Sequence, residues 1–208
     1  MTRAADLTKK SLLESAAAAF AECGYARASI REITSRARAN QAAVTYHFGG
    51  KEALYREVLR GALLVLQDAM SDEEALPSKE DRGEVLKRFM RRQLAPLLTR
   101  DRLAQPLRIF GWEAVSPSPV YLEFLSQQTI PTVRRAEAIV RLYASSGVSP
   151  EEIAIATIWL LQQSSAFIRH AEVLARPPMS LKIDRAYVDR LADQLGRMAD
   201  AGLASLCV

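Results

Sequence analysis

Apolar residues recur at helical spacing along almost the whole chain. Between Leu7 and Cys23, the positions Leu12, Ala16, Ala19, Phe20 and Cys23 fall on one side of a helix, and Gly24 supplies its stop. Ser29-Ile30-Arg31-Glu32 has the S-x-x-E form of a capping box and predicts a short second helix ending near Ala37. Arg38-Ala39 make a turn, Asn40 suits the N-cap of a third helix, and Phe48-Gly49-Gly50 close it. Lys51 opens a long fourth helix with Leu54, Val58, Ala62 and Val65 along one stripe. Residues 72–83, DEEALPSKEDRG, are polar and read as a loop. Helices are expected over 80–99 and 101–114, disturbed by Pro96 and Pro106, and over 119–145, interrupted near Pro131. The SPSP stretch at 116–119 is a break. Ser149-Pro150-Glu151-Glu152 combines an N-cap, proline at the first helical position and acids in the first turn. It starts a very apolar helix reaching about Ala175. Pro177-Pro178 divide this from a last helix over 184–205, with Tyr187, Leu191, Leu195 and Met198 on one face. Strand-like alternation of Val, Ile and Thr is scarce. The expected fold is all-α with about nine helices.

The expected division is a helix-turn-helix domain over residues 1–66, with its motif at 29–48, followed by a helical domain over 67–208. At 208 residues, 49% hydrophobic and 25% charged, the chain can bury a core without metal or disulfide. No apolar run reaches the roughly 18 residues needed to cross a bilayer. The polar start MTRAADLTKK does not read as a signal peptide, and Cys23 and Cys207 form no CxxC pair. Reduced thiols and a cytoplasmic location are the expectation. Charge then changes the picture. Residues 1–60 hold ten Lys/Arg and six Asp/Glu, an excess of four that equals the formal net charge of the whole chain, +4. The other 148 residues balance, 18 against 18. A basic N-terminal unit on a neutral body points to a polyanion as that unit's partner.

The second and third helices with their short turn make a helix-turn-helix, whose second helix enters the major groove of duplex DNA. Such a helix must be slim and tipped with hydrogen-bonding groups. Asn40, Gln41 and Thr45 offer those groups, while Ala42 and Ala43 let the backbone come close. Glutamine can bond adenine through two atoms, and threonine can offer its methyl to thymine. Tyr46 and His47 at the far end can donate to phosphate. Lys51 stands at a helix N-terminus, which already favours an anion, and Ser29 and Arg31 stand similarly at the start of the second helix. Val44 and Phe48 are expected in the core.

These residues carry a resemblance. The run GYARASIREITSRARANQAAVTYHFGGKEALYREVL is similar to the N-terminal domain of TetR/AcrR-type transcriptional regulators over about residues 7–66. Gly24-Tyr25, Ser29 with Ile30 and Ile33, Tyr46-His47-Phe48, and Gly49-x-Lys51-Glu52-x-Leu54 all fall at the family's spacing. AAVTYHFGGKE together with EAVSPSP further resembles a subgroup with CecR-type ligand domains. Three positions depart from the pattern. Arg38 stands where the turn usually carries glycine, so either the turn is adjusted or Arg38 adds a phosphate contact. Thr45 replaces a frequent tyrosine, and Gln41 a frequent basic residue. These departures bear on which operator is read.

The resemblance implies a second, all-helical domain that binds a small molecule and dimerises. The apolar faces of the helices at about 149–175 and 184–205 fit that independently. Ile153, Ile155, Ile158, Trp159, Leu160, Leu161, Phe167 and Ile168 exceed what one helix can bury in a small body, and a two-fold copy would complete a four-helix interface. Candidate pocket residues are the polar and aromatic Arg108, Phe110, Trp112, Glu113, Tyr121, Phe124, Gln127, Gln128, Trp159, Gln162, Gln163 and His170. The expected partners are a palindromic DNA operator, a second copy of the chain and an unidentified small-molecule effector, with no membrane, metal or cofactor. The implied mechanism is a repressor whose ligand favours a form with wrongly spaced reading heads. With two histidines and no HExxH, GxSxG or Cys/His cluster, no catalytic residues are expected. A helical adaptor for protein partners, an architectural DNA protein and a regulator without inducer are the rival readings.

Overall fold

The computed structural model describes residues 3–70, 82–128 and 131–207. Among these it has eleven α-helices, two short 3₁₀ turns and no strand: α1 (Arg3–Arg27), α2 (Ile30–Arg36), α3 (Gln41–Phe48), α4 (Lys51–Met70), α5 (Arg82–Gln93), α6 (Arg100–Val115), α7 (Pro119–Ser126), α8 (Pro131–Tyr143), α9 (Pro150–Arg169), α10 (Ala171–Leu174) and α11 (Arg185–Leu203). The count exceeds nine because long expected helices divide. The one over 80–99 becomes α5 and a 3₁₀ turn at Ala95–Leu97 that contains Pro96. The one over 119–145 becomes α7 and α8, and the one reaching Ala175 becomes α9 and α10. The loop expected at 72–83 lies mostly outside the described residues.

The described helices gather into two compact units, one holding the chain up to Leu66 together with α6 and α7, the other holding α5 and α8 to α11. The first unit's core contains Leu12, Phe20, Ile33, Val44, Leu54, Tyr55, Leu59, Ile109, Val120 and Phe124. Most of the predicted stripes are therefore buried, although Cys23, Phe48 and Val65 are only half-buried. Trp112 on α6 donates from Nε1 to the carbonyl of Ala21 at 3.0 Å and lies against Gly24, where a Cβ would stand 3.3 Å from the indole. Gly24, at φ 76°, interrupts regular helix geometry after Cys23 and leaves one further turn to Arg27. The second unit's core joins Leu86, Phe89, Met90, Ile139, Val140, Ile153, Leu160, Val188, Leu195 and Leu203. In it α11 packs closely along α5, with Gly196 against the Lys87 backbone and Arg91 bridging Asp189 at 2.9 Å. A side chain larger than hydrogen at Gly196 would force the two helices apart.

Candidate nucleic-acid interface

The third helix forms as its ends dictate. Asn40 in extended conformation accepts the Ala43 amide through Oδ1 at 2.8 Å, and Gly49 in the left-handed region ends the helix. Only Val44 of α3 is fully buried, and the half-buried Ala43 and Phe48 pack beside it against the core. Gln41, Ala42, Thr45 and Tyr46 all face solvent, Tyr46 at 81% exposure, and His47 is half-buried between the Tyr46 and Phe48 rings. Because Asn40 commits its oxygen to the cap, its amide N–H₂ is the part left to read a base.

The turn before α3 is a Schellman motif: the Arg38 N–H donates to Ser35 O, and the Ala39 N–H to Thr34 O at 2.9 Å. That motif needs a left-handed residue, and Arg38 takes the role at φ 52°. Thus the arginine found in place of glycine does not remodel the turn; it occupies the same geometry under strain, with its guanidinium exposed. At the start of α2 the expected capping box is absent. Ser29 is the N-cap residue but makes no side-chain cap, and Glu32 turns to Arg36 at 2.5 Å instead of back to the Ser29 N–H. Arg36 also grips Glu22 through two bonds of 2.8 and 2.7 Å, which raises its pKa and lowers that of Glu22.

Ion pairing sorts the basic residues of the N-terminal stretch. Arg36, Arg56 and Arg60 bond to Glu22, Glu123 and Glu57 respectively, and Lys10 sits 3.9 Å from Glu14. Arg27, Arg31, Arg38 and Lys51 have no carboxylate partner among the described residues. Lys51 is half-buried at the start of α4 with Nζ 4.6 Å from the centre of the Tyr25 ring, and burial lowers its pKa. Tyr25 in turn stacks on Tyr55, with ring centres 4.8 Å apart. A chain of aromatic rings thereby fixes where the ammonium stands.

The candidate pocket residues divide between the units. In the first, Phe124 is buried, Phe110 and Tyr121 meet edge to face at 6.0 Å, and Arg108 and Gln127 are exposed, with Gln128 half-buried. Glu113, 3% exposed, accepts from Tyr55 Oη at 2.6 Å and from Ser118 N at 2.6 Å and Oγ at 3.0 Å. It ties α4 to α6 and to the N-cap of α7, and burial followed by this carboxylate raises the pKa of Tyr55. In the second unit, Trp159 and Gln163 lie on α9, where Gln163 donates back to the Trp159 carbonyl at 2.7 Å. Gln162 is exposed and accepts from Ser165, and His170 is exposed at the C-cap. Neither glutamine is buried, although both stand in an apolar stretch of the sequence. Among the described residues no cluster of metal-ligating side chains occurs, and no helix is long and apolar enough to cross a membrane.

The order of parts, a reading helix behind a Schellman turn and then a wholly helical body, has a match in known proteins. The family model for bacterial regulatory proteins of the tetR family matches residues 12–58. The model for the C-terminal domain of the HTH-type transcriptional dual regulator CecR matches residues 83–206. This chain belongs to the TetR family of transcriptional regulators, with a CecR-type C-terminal domain. The dual regulator CecR of Shigella flexneri is 32% identical over 129 residues, covering 58% of this chain and 57% of the relative, so the chain spans a little over half of that relative's length. The crystal structure of the TetR family regulator PfmR from Thermus thermophilus is 25% identical, with TM-score 0.56 over 90% of this chain and 96% of that one. A TetR-like regulator from Rhodococcus sp. RHA1 shares the fold at TM-score 0.61 and 18% identity, over 98% of both chains. The family's members are regulators, not enzymes. The contact that most clearly escaped the sequence is the seating of α6 on the end of α1, since nothing local in Trp112 announces a bond to a residue 91 positions earlier.

Proposed function

We propose that the chain is a homodimeric, ligand-responsive repressor that binds a palindromic operator through α3. The observation that carries this is the exposure of Gln41, Ala42, Thr45 and Tyr46 on a helix whose other side is held on the core by Val44, Ala43 and Phe48. Gln41 and Thr45 read bases, as does the free amide of Asn40. Ser29, Arg31, Arg38, Tyr46, His47 and Lys51 hold phosphates, with Ala42 allowing close approach. The stretch 1–66 is the reading head, and 67–208 the body that dimerises and takes the effector. Dimerisation through α9 and α11 is supported by apolar side chains that the single chain leaves open, Ile155 and Ile158 at 61% each, with Trp159 and Met198. A two-fold pair would set the reading helices roughly 34–36 Å apart or a multiple of that. An effector then lowers DNA affinity only by as much as it prefers the wrongly spaced form. Action on DNA in the cytoplasm completes the reading.

The test is fluorescence anisotropy of the purified protein on labelled DNA from upstream of its own coding region, at two salt concentrations, against a scrambled competitor. The expected result is tight binding that falls steeply with salt and resists the scramble. Equal displacement by the scramble would favour an architectural protein, and absence of binding at low salt would favour an adaptor. Because the Shigella flexneri relative is named a dual regulator, a promoter-reporter measurement with the chain present and absent fixes the sign of regulation.

A further inference from the structure

We propose that the first unit carries a binding cleft for a small aromatic carboxylate, formed where the end of α1 meets α6 and the start of α7. The cleft measures about 640 Å³, and Tyr25, Arg27, Trp112, Glu113, Ser118 and Pro119 line it. That volume suits a ligand of about two rings. Its wall is the Trp112 indole, 38% exposed yet held in place by the bond to Ala21 O and by Gly24 behind it. A fixed aromatic plane open to solvent loses little entropy when a flat ligand covers it.

Arg27 supplies the charge. Its Nε donates to the Cys23 carbonyl at 3.1 Å and its guanidinium carbon stands 5.0 Å from the centre of the Trp112 ring. No carboxylate pairs with it among the described residues, so the two terminal nitrogens remain open as a forked donor, the geometry that matches a carboxylate. Glu113, the other charged group of the cleft, is buried and already accepts from Tyr55 and from both donors of Ser118. It belongs to the fold and offers no comparable grip to a cation. The open charge is therefore positive and lies beside an aromatic wall, which sets the ligand's acid at Arg27 and its rings along Trp112. This cleft includes two residues, Trp112 and Glu113, expected in a pocket of the helical body, but its other wall comes from residues 23–27 of the reading head.

Tyr25 connects the cleft to the DNA-facing side, because its ring lines the cleft and also carries the Lys51 ammonium. A ligand resting against Tyr25 thus acts one residue away from a proposed phosphate contact. That coupling rests on the regulator reading above; the binding itself does not.

The chain has two tryptophans, so Trp159→Phe leaves Trp112 as the sole indole reporter. The full-length variant is titrated with biphenyl-4-carboxylate and, separately, with the neutral biphenyl-4-methanol, following Trp112 emission. The expected result is a saturable change with the acid and roughly tenfold weaker binding of the alcohol, the size of one charge-assisted pair. Arg27→Gln is expected to abolish the preference for the acid. No saturable change, equal binding of acid and alcohol, or a preference that survives Arg27→Gln would each overturn the proposal. Calorimetric titration of the unaltered chain gives the same comparison if Trp159→Phe does not fold. Loss of DNA binding altogether would count against the regulator reading, whereas failure of the titration counts against the cleft alone.

Discussion

Two helices leave their outer faces open, and they do so in opposite chemistry. Helix α3 buries a single side chain, Val44, and exposes an amide, a hydroxyl and a phenol. Helix α9 buries Ile153, Ala156, Thr157, Leu160 and Ser164 and exposes Ile155, Ile158 and Trp159. A polar face on a thinly anchored helix remains well solvated alone and can exchange water for DNA. An apolar face on a firmly anchored helix is a standing cost in water that a second copy would remove. The leads into the helices differ in the same way. Asn40 caps α3 alone, after a strained Arg38, while α9 has the reciprocal Ser149–Glu152 box. Within one chain, the reading helix fully buries one side chain and the proposed assembly helix five.

The sharpest way to break this contrast is to put a charge on the apolar face. Ile158→Glu should turn a dimer into a folded monomer, with at least about a hundredfold loss of operator affinity as the two half-sites decouple. Sedimentation with circular dichroism checks it, and a variant that remains dimeric would remove α9 from the interface. Next comes the anchor of α3. Val44→Ala should cost about 2 kcal/mol in urea unfolding, whereas Thr45→Ala on the exposed side should stay within about 0.5 kcal/mol. Equal costs would mean that Val44 does not seat the helix.

A smaller effect is expected in the turn. Arg38→Gly should stabilise the chain by about 0.5–1 kcal/mol, since glycine takes the left-handed geometry freely and loses part of that gain through its more flexible unfolded chain. The same change should weaken DNA binding by removing an unpaired cation, so stability and affinity move in opposite directions. A loss of stability would show that Arg38 is not strained. The smallest effect concerns pH. The amide and hydroxyl of Ser149 hold the Glu152 carboxyl below its usual 4.5. Its contribution is therefore fully present above that value and disappears as pH falls through the lower folded-state pKa. Glu152→Gln should show a shallower acid loss of stability than the unaltered chain, read from urea midpoints at about pH 6 and about pH 3. Parallel acid limbs would exclude the cap as a source of that dependence.

What the sequence by itself determined is what depends on neighbours a few residues apart. The break at Gly24, the caps at Asn40 and Ser149 and the period of Leu12, Ala16 and Ala19 are all local, and all appear in the structure, although the helix resumes for one turn past Gly24. The helix-turn-helix and the net basic charge of its stretch were legible for that reason. Tertiary structure decided what depends on distant partners. Ser29-x-x-Glu32 satisfies the capping pattern, yet Arg36, reached also by Glu22 from α1, takes the carboxylate away. Composition counted ten cations near the N-terminus, but only the fold shows which have an acid against them. Glu113 and Trp112 read as ligand groups because they are polar or aromatic on a helix expected to border a central cavity. Their bonds, across 58 and 91 residues, also draw α6 and α7 into one unit with the reading head. A hydrogen bond of that span has no periodic trace along the chain, so its partner becomes visible only once the helices are packed.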